Sequence, residues 1–259
     1  MRESRRPPLF QVERSPWSEI TEGFSFSRTE LLNGSIEWIV WHGFEPAKVV
    51  TMEINTIIFD FGGVIMTSEQ DEAIRRFRAL GITQDKMSLD KHTQTGLFRD
   101  FEEGCIGEEE FRSQLSLMAG HELSLEECQW ACRGYVKEVP ERNLTLFQQL
   151  REKGYRLLML SNTNPYMMGW VMSAEFDGNS NGLGAYLDHC YLSYELGMSK
   201  PNPEIFLYVI ECEKLNPSAT IFVDDNELNI AVARKFGMNT LQPKNGEDWT
   251  GSLLAMLEE

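Results

Sequence analysis

Four short stretches carry side chains better suited to chemistry than to packing. Asp60 lies in Asn55-Thr56-Ile57-Ile58-Phe59-Asp60-Phe61-Gly62-Gly63, Ser161-Asn162 follows the apolar run Tyr155–Leu160, Lys200 precedes Pro201, and Asp224-Asp225 follows Thr220–Val223. A carboxylate at the end of a buried strand serves as a nucleophile, a metal ligand or both. Gathered at one place, the four stretches supply a nucleophilic carboxylate, a hydroxyl beside backbone N–H groups, one ammonium and a second acid cluster. That is the equipment for phosphoryl transfer. The carboxylate attacks phosphorus, a cation and a lysine neutralise the equatorial oxygens, and hydroxyl and amide donors hold them in line. Mg²⁺ suits such a site, because it takes one or two carboxylates plus waters and phosphate oxygens rather than a full protein cage.

The elements around these residues would bring them together. The run before Asp60 is short, apolar and unalternating, as in a strand buried on both faces of a parallel sheet. Gly62 and Gly63 end it, since a sharp turn or a close approach to a ligand needs residues without a Cβ. From Pro140 onward, strands and helices alternate: a helix to about Lys153, strands at Tyr155–Leu160, His189–Ser193 and Thr220–Val223, and helices near Pro165, over Pro203–Leu215 and over Asn226–Phe236. Thr240-Leu241 fits a last strand. This pattern predicts an α/β fold with a Rossmann-like parallel sheet and right-handed crossovers, its strand tips sharing one edge. Residues 68–139 read instead as short helices. Ala73, Ile74, Phe77 and Leu80 recur at helical spacing up to Gly81, a helix falls near Leu97–Phe101, Phe111, Leu115 and Met118 mark another, and Ser124 with Glu127 forms a capping-box pattern. The expected organisation is a core of residues 52–67 and 140–259, with a small helical-bundle cap of residues 68–139 set over it.

The totals narrow the function class. A formal net charge of −16 on 259 residues argues against nucleic acid or an anionic membrane as partner. Cys105, Cys128, Cys132, Cys190 and Cys212 form no CxxC pair, so reduced thiols and a cytoplasmic setting are expected. Residues 1–51 stand apart, with Trp17, Trp38 and Trp41 but no clear period. They read as a leader or upstream extension outside the folded unit, or alternatively as a docking segment. His42, His92, His121 and His189 lack ligand spacing, and Met167, Met168 and Met172 read as core. Asp177-Gly178-Asn179-Ser180-Asn181-Gly182 fits a calcium loop only loosely, because Asp188 stands where that loop carries Glu. A glycine-rich surface loop is the better reading.

Taken in order, the motifs resemble those of the haloacid dehalogenase (HAD) superfamily over about residues 53–245. Phe59-Asp60-Phe61-Gly62-Gly63-Val64 looks like its first motif, Leu160-Ser161-Asn162 its second, Lys200-Pro201 its third and Phe222-Val223-Asp224-Asp225 its fourth. Ser161-Asn162-Thr163-Asn164 and the stretch from Tyr191 to Pro201 are similar to a bacterial branch that includes glucose-1-phosphate phosphatase. The resemblance implies that Asp60 is the nucleophile and a Mg²⁺ ligand, that Ser161 and Asn162 hold the phosphate, and that Lys200 offsets its charge. It makes Asp225 the inner metal acid, with Asp224 behind it, and gives the Gly62 carbonyl to the metal. One departure stands out. Most phosphatases of the family carry Asp where this chain has Gly62, and there it acts as general acid and base. The implied activity is a Mg²⁺-dependent phosphatase acting on a small phosphorylated metabolite, a sugar phosphate. The alternatives are a 2-haloacid dehalogenase, which needs no metal, and a phosphate-binding module without turnover.

Overall fold

The computed structural model describes residues 53–83 and 96–258. The extension at residues 1–51, with its tryptophans and His42, lies outside them, as do Met52 and His92. Five parallel strands form the central sheet in the order β5-β4-β1-β6-β7: β1 (Thr56–Phe59), β4 (Arg156–Ser161), β5 (His189–Leu192), β6 (Thr220–Val223) and β7 (Asn239–Leu241). β1 lies at its centre, and all four of its residues are buried.

Alternation along the strands builds a core on each face. Ile57 and Phe59 of β1 pack on one side with Leu157, Met159, Ile221 and Val223. Ile58, Leu158, Leu160 and Phe222 pack on the other. Helices α5 (Glu141–Glu152) and α10 (Thr250–Glu258) cover the first face, where Phe147 and Trp249 close on Phe59 with ring centroids 4.8 and 5.5 Å away. Helices α8 (Pro203–Glu213) and α9 (Glu227–Lys235) cover the second, through Phe206 and Ile230. Both faces of the sheet are thus apolar, which explains why its strands read as unbroken hydrophobic runs.

The helical layer comprises α1 (Gln70–Ala79), α2 (Leu97–Glu102), α3 (Glu108–Ala119) and α4 (Leu125–Cys132) among the described residues. The Ser124–Glu127 capping box forms as expected. An aromatic cluster fills the layer, with Phe101 stacked on Phe111 at 4.0 Å and Phe98 edge-on to both Phe77 and Phe111. Tyr166, from α6 (Pro165–Val171), joins that cluster and donates its hydroxyl to the Glu108 carbonyl at 2.7 Å.

Three features depart from the sequence reading. A two-stranded antiparallel ribbon, β2 (Thr67–Ser68) with β3 (Val136–Glu138), joins the layer to the sheet, in place of a direct passage into helix. The Asn245 side chain fastens it, accepting from the Ser68 N–H at 2.8 Å and donating to the Ser68 carbonyl at 2.9 Å. A short helix, α7 (Ser193–Leu196), follows β5 and takes in Ser193, which the sequence reading placed in the strand. Met167 and Met168 are core, but Met172 is 42% exposed.

Candidate active site

The carboxyl ends of β4, β1 and β6 and the segment after α7 meet at one edge of the sheet. The Lys200 ammonium bridges two of the acids, 2.9 Å from Asp60 Oδ1 and 2.7 Å from Asp224 Oδ2. Its side chain is 1% exposed, and it lies 5.6 Å from the centroid of the Phe222 ring. Carboxylate oxygens of Asp60, Asp224 and Asp225 come within 4.8 Å of one another.

Local hydrogen bonds fix each of these groups. The Asp60 N–H donates to the Val223 carbonyl at 2.8 Å, tying β1 to β6 at the tip, and Asp60 Oδ1 accepts from the Phe61 N–H at 2.7 Å. Asp224 is fully buried. Besides Lys200, its oxygens accept from the Asn226 N–H at 2.8 Å and from Asn229 Nδ2 at 3.0 Å. Asp225 stays partly exposed and lines the cleft.

Asn162 lines the same cleft, but its side-chain amide is already engaged. Its Nδ2 donates to the Lys200 carbonyl and its Oδ1 accepts from the Lys200 N–H, both at 2.8 Å. It thus clamps the lysine's backbone, leaving its own N–H and the second Nδ2 proton for a ligand. Ser161 lies beneath the cleft wall, 1% exposed, with a long 3.4 Å contact from its hydroxyl to the Asn162 carbonyl. At that length the bond is weak, and the hydroxyl remains free to rotate. Neither residue caps the next helix. Asn164 does, accepting from the Met167 N–H at 3.0 Å.

Sequence reasoning missed the supports. Asn143 Nδ2 donates to the Val64 and Ile65 carbonyls at 3.0 and 3.1 Å, and Trp249 Nε1 donates to Val64 at 3.0 Å. Together they hold the turn that follows Asp60. Asn229 had a legible signal, since it falls one helical turn after Asp225 in the run Asp224-Asp225-Asn226-Glu227-Leu228-Asn229. Asn143 and Trp249 had none, because they act on backbone groups remote in the chain.

The electrostatics call for added positive charge. Burial pushes the Asp60 carboxyl up to about 7; Lys200 opposes the shift, and Asp224 and Asp225 add to it. For Lys200, burial works against the charged form, but Asp224 and Asp60 outweigh it and the ammonium is held protonated. Three acids around one ammonium leave an excess of negative charge. A divalent cation beside Asp60 and Asp225 would offset it and reverse the local titration. The donor set is all oxygen, which fits Mg²⁺.

Asp177 accepts from the N–H groups of Asn179 and Asn181, from Asn181 Nδ2 and from the Tyr186 hydroxyl, so its loop closes on itself. All five cysteines are free thiols. No described helix is long and apolar enough to cross a membrane.

Between the sheet edge and the helical layer lies a cavity of about 1150 Å³. Asp60, Gly62, Asn162, Lys200 and Asp225 line it on the sheet side, and Phe98, Arg99, Glu102, Glu103 and Tyr135 on the helical side. The layer contacts the sheet edge next to the lysine, where Ser199 Oγ donates to Glu103 Oε1 at 2.7 Å.

Known proteins resemble this chain in sequence and fold. A family model described as haloacid dehalogenase-like hydrolase matches residues 54–237. D-ribitol-5-phosphate phosphatase of Bacteroides thetaiotaomicron is 44% identical over 204 residues, 79% of this chain and 98% of the relative. A predicted HAD-like family hydrolase from Porphyromonas gingivalis superposes with a TM-score of 0.75 at 38% identity, covering 80% of this chain and 98% of the other. An HAD family enzyme from B. thetaiotaomicron, solved with magnesium and inorganic phosphate, gives a TM-score of 0.69 at 33% identity over 77% of this chain and 98% of the other.

Proposed function

The chain belongs to the haloacid dehalogenase-like hydrolases, and from that premise we propose that it is a Mg²⁺-dependent phosphatase. Its substrate is a small phosphorylated sugar or polyol, cleaved through a phosphoaspartate on Asp60. A phosphorylated pentitol, the substrate class named for the B. thetaiotaomicron relative, is the first compound to try. One observation carries the reading: Lys200 bridges Asp60 and Asp224 at 2.9 and 2.7 Å, next to Asp225 in a cleft roofed by helices.

The chemistry follows from the positions. The phosphoryl group enters between Asp60, Lys200 and the Asn162 N–H. Lys200 takes up charge on its equatorial oxygens, while the Asn162 clamp keeps the lysine in register. The Ser161 hydroxyl turns outward to donate to one of those oxygens. Asp60 then attacks phosphorus in line with the departing alkoxide. Asp60, Asp225 and the Gly62 carbonyl would hold Mg²⁺, which when bound would supply the remaining charge neutralisation. Asp224, already engaged by Lys200 and Asn229, supports from behind. Water then attacks phosphorus, and its product is phosphate with Asp60 freed. Residues 68–139 act as the cap, keeping bulk water off the phosphoaspartate.

A panel of phosphorylated metabolites and p-nitrophenyl phosphate, assayed with Mg²⁺ and with chelator, tests the proposal. Hydrolysis that requires Mg²⁺ is the expected result. Halide release from 2-haloacids that survives chelation would point to a dehalogenase instead, and the absence of turnover on every phosphate ester would point to a binding module.

Two glycines give sharper tests. Gly63 has φ +78°, and a Cβ there would overlap the Asp225 carboxylate. Gly63→Ala combines that collision with a left-handed backbone cost of roughly 1–2 kcal/mol. A Mg²⁺ titration of activity should shift to higher concentration, with a lower melting temperature. Gly62 is different, because a Cβ there meets only Ser68 Oγ at 3.3 Å and Met66 Cε at 3.7 Å. Gly62→Asp asks the Ser68 side chain to give slightly and should restore a proton donor, a group typically worth about 10²–10⁴-fold in rate. Alkyl phosphates should gain more than p-nitrophenyl phosphate, whose leaving group needs no proton. Equal effects on both would count against a missing acid.

A further inference from the structure

The cavity is much larger than a phosphate needs, and its helical wall contains a carboxyl group that the reaction leaves unused. Glu102 ends α2 and faces the cleft. Its carboxyl makes no hydrogen bond or ion pair with any described residue, whereas that of its neighbour Glu103 is engaged by Arg99 at 3.1 Å and by Ser199 at 2.7 Å. Behind it, Tyr135 lines the same wall, and its hydroxyl is buried without a hydrogen-bond partner. Both line the cleft together with Cys132. A buried hydroxyl without a partner is costly, so its place beside an uncommitted carboxyl points to a ligand that completes the pair.

We propose that Glu102 is the specificity-determining residue for the leaving group, binding a hydroxyl of an uncharged polyol or sugar, with Tyr135 as the positioning residue behind it. The inference rests on the phosphatase reading and deepens it by assigning the far end of the substrate. Burial, with a smaller push from Glu103, raises the Glu102 carboxyl to about 8, so near pH 7 it both donates and accepts. A hydroxyl does the same, which makes the two groups complementary. An anionic leaving group is disfavoured. Among the described residues lining the cleft the cations are Arg99, Lys137 and Lys200; Arg99 pairs with Glu103 and Lys200 with Asp60 and Asp224, while Glu69, Asp71 and Glu138 add negative charge. A site that hydrogen-bonds a hydroxyl discriminates strongly against analogues that lack it.

The test compares a straight-chain polyol phosphate with p-nitrophenyl phosphate, whose leaving group has no hydroxyl, and with a phosphorylated sugar acid. In the wild type, kcat/KM should favour the polyol phosphate over the sugar acid. Glu102→Ala should lower the ratio of kcat/KM for the polyol phosphate to that for p-nitrophenyl phosphate at least tenfold, mainly through KM. Glu102→Gln, which keeps a donor and an acceptor, should restore most of that ratio, and Tyr135→Phe should lower it in the same direction by less. A ratio within twofold of wild type for Glu102→Ala, or a loss in Glu102→Gln equal to that in Glu102→Ala, overturns the assignment. Calorimetry in an Asp60→Asn background separates this from the phosphatase reading, since it needs no turnover. There, Glu102→Ala should weaken polyol phosphate at least tenfold relative to inorganic phosphate, and equal weakening of both ligands refutes it.

Discussion

Asp60→Asn should abolish turnover, lowering kcat by about 10⁴-fold or more on every phosphate ester, as expected when the attacking group itself is removed. The change should leave the fold intact. Asn keeps the volume and an oxygen that can still accept from the Phe61 N–H, the contact Asp60 makes at 2.7 Å. Lys200 also keeps Asp224 as its partner at 2.7 Å. The melting temperature should therefore move little while activity vanishes. Mass spectrometry of rapidly quenched wild-type enzyme should find a phosphoryl group on the Asp60 peptide. A variant with a tenth of the wild-type rate would remove Asp60 from the nucleophile's role.

Lys200→Met should damage both chemistry and stability. Removing the ammonium leaves Asp60 and Asp224 facing each other with no buried cation between them. Breaking a buried ion pair from one side typically costs about 3–5 kcal/mol, which for a chain of this size lowers the melting temperature by roughly 10 °C. Loss of a charge-stabilising donor should also lower kcat by about 10²–10³-fold. Adding Mg²⁺ should return part of the stability, because the cation occupies the same negative field, but not the rate. Thermal melts with and without Mg²⁺, read alongside kcat, check both halves. A variant as stable as wild type in the absence of Mg²⁺ would mean that the three carboxyls do not depend on this lysine.

The sequence and the structure agree where one strong local signal decides the outcome. Asp60, Ser161 and Asp224-Asp225 each end or follow an apolar run, so the runs locate the strands and the strand ends locate the residues. The aromatic spacing in residues 68–139 likewise marked helices that cannot belong to a sheet layer. Agreement fails where a residue's partner is distant. Nothing near Asn162 in the chain tells that its amide engages Lys200, 38 positions later. The β2–β3 ribbon pairs Thr67 with Glu138, across the whole helical layer. Such short strands carry too few residues for a period to show. Helix α10 was overlooked because it is short and contains Gly251, although Asp248, which accepts from the Thr250 N–H at 3.1 Å, marks its start. Met172 broke a spacing argument because its helix stops at Val171.

The indole of Trp249 has a consequence for biosynthesis. It lies 185 positions after Val64, the residue whose carbonyl it holds, and so is translated long after it. A ribosome-bound intermediate that already displays Asp60, Lys200 and Asp225 still lacks this brace under the turn after Asp60. Competence should therefore arrive late and abruptly, when the segment carrying Trp249 clears the exit tunnel, and half-made copies should leave the cell's phosphate esters untouched.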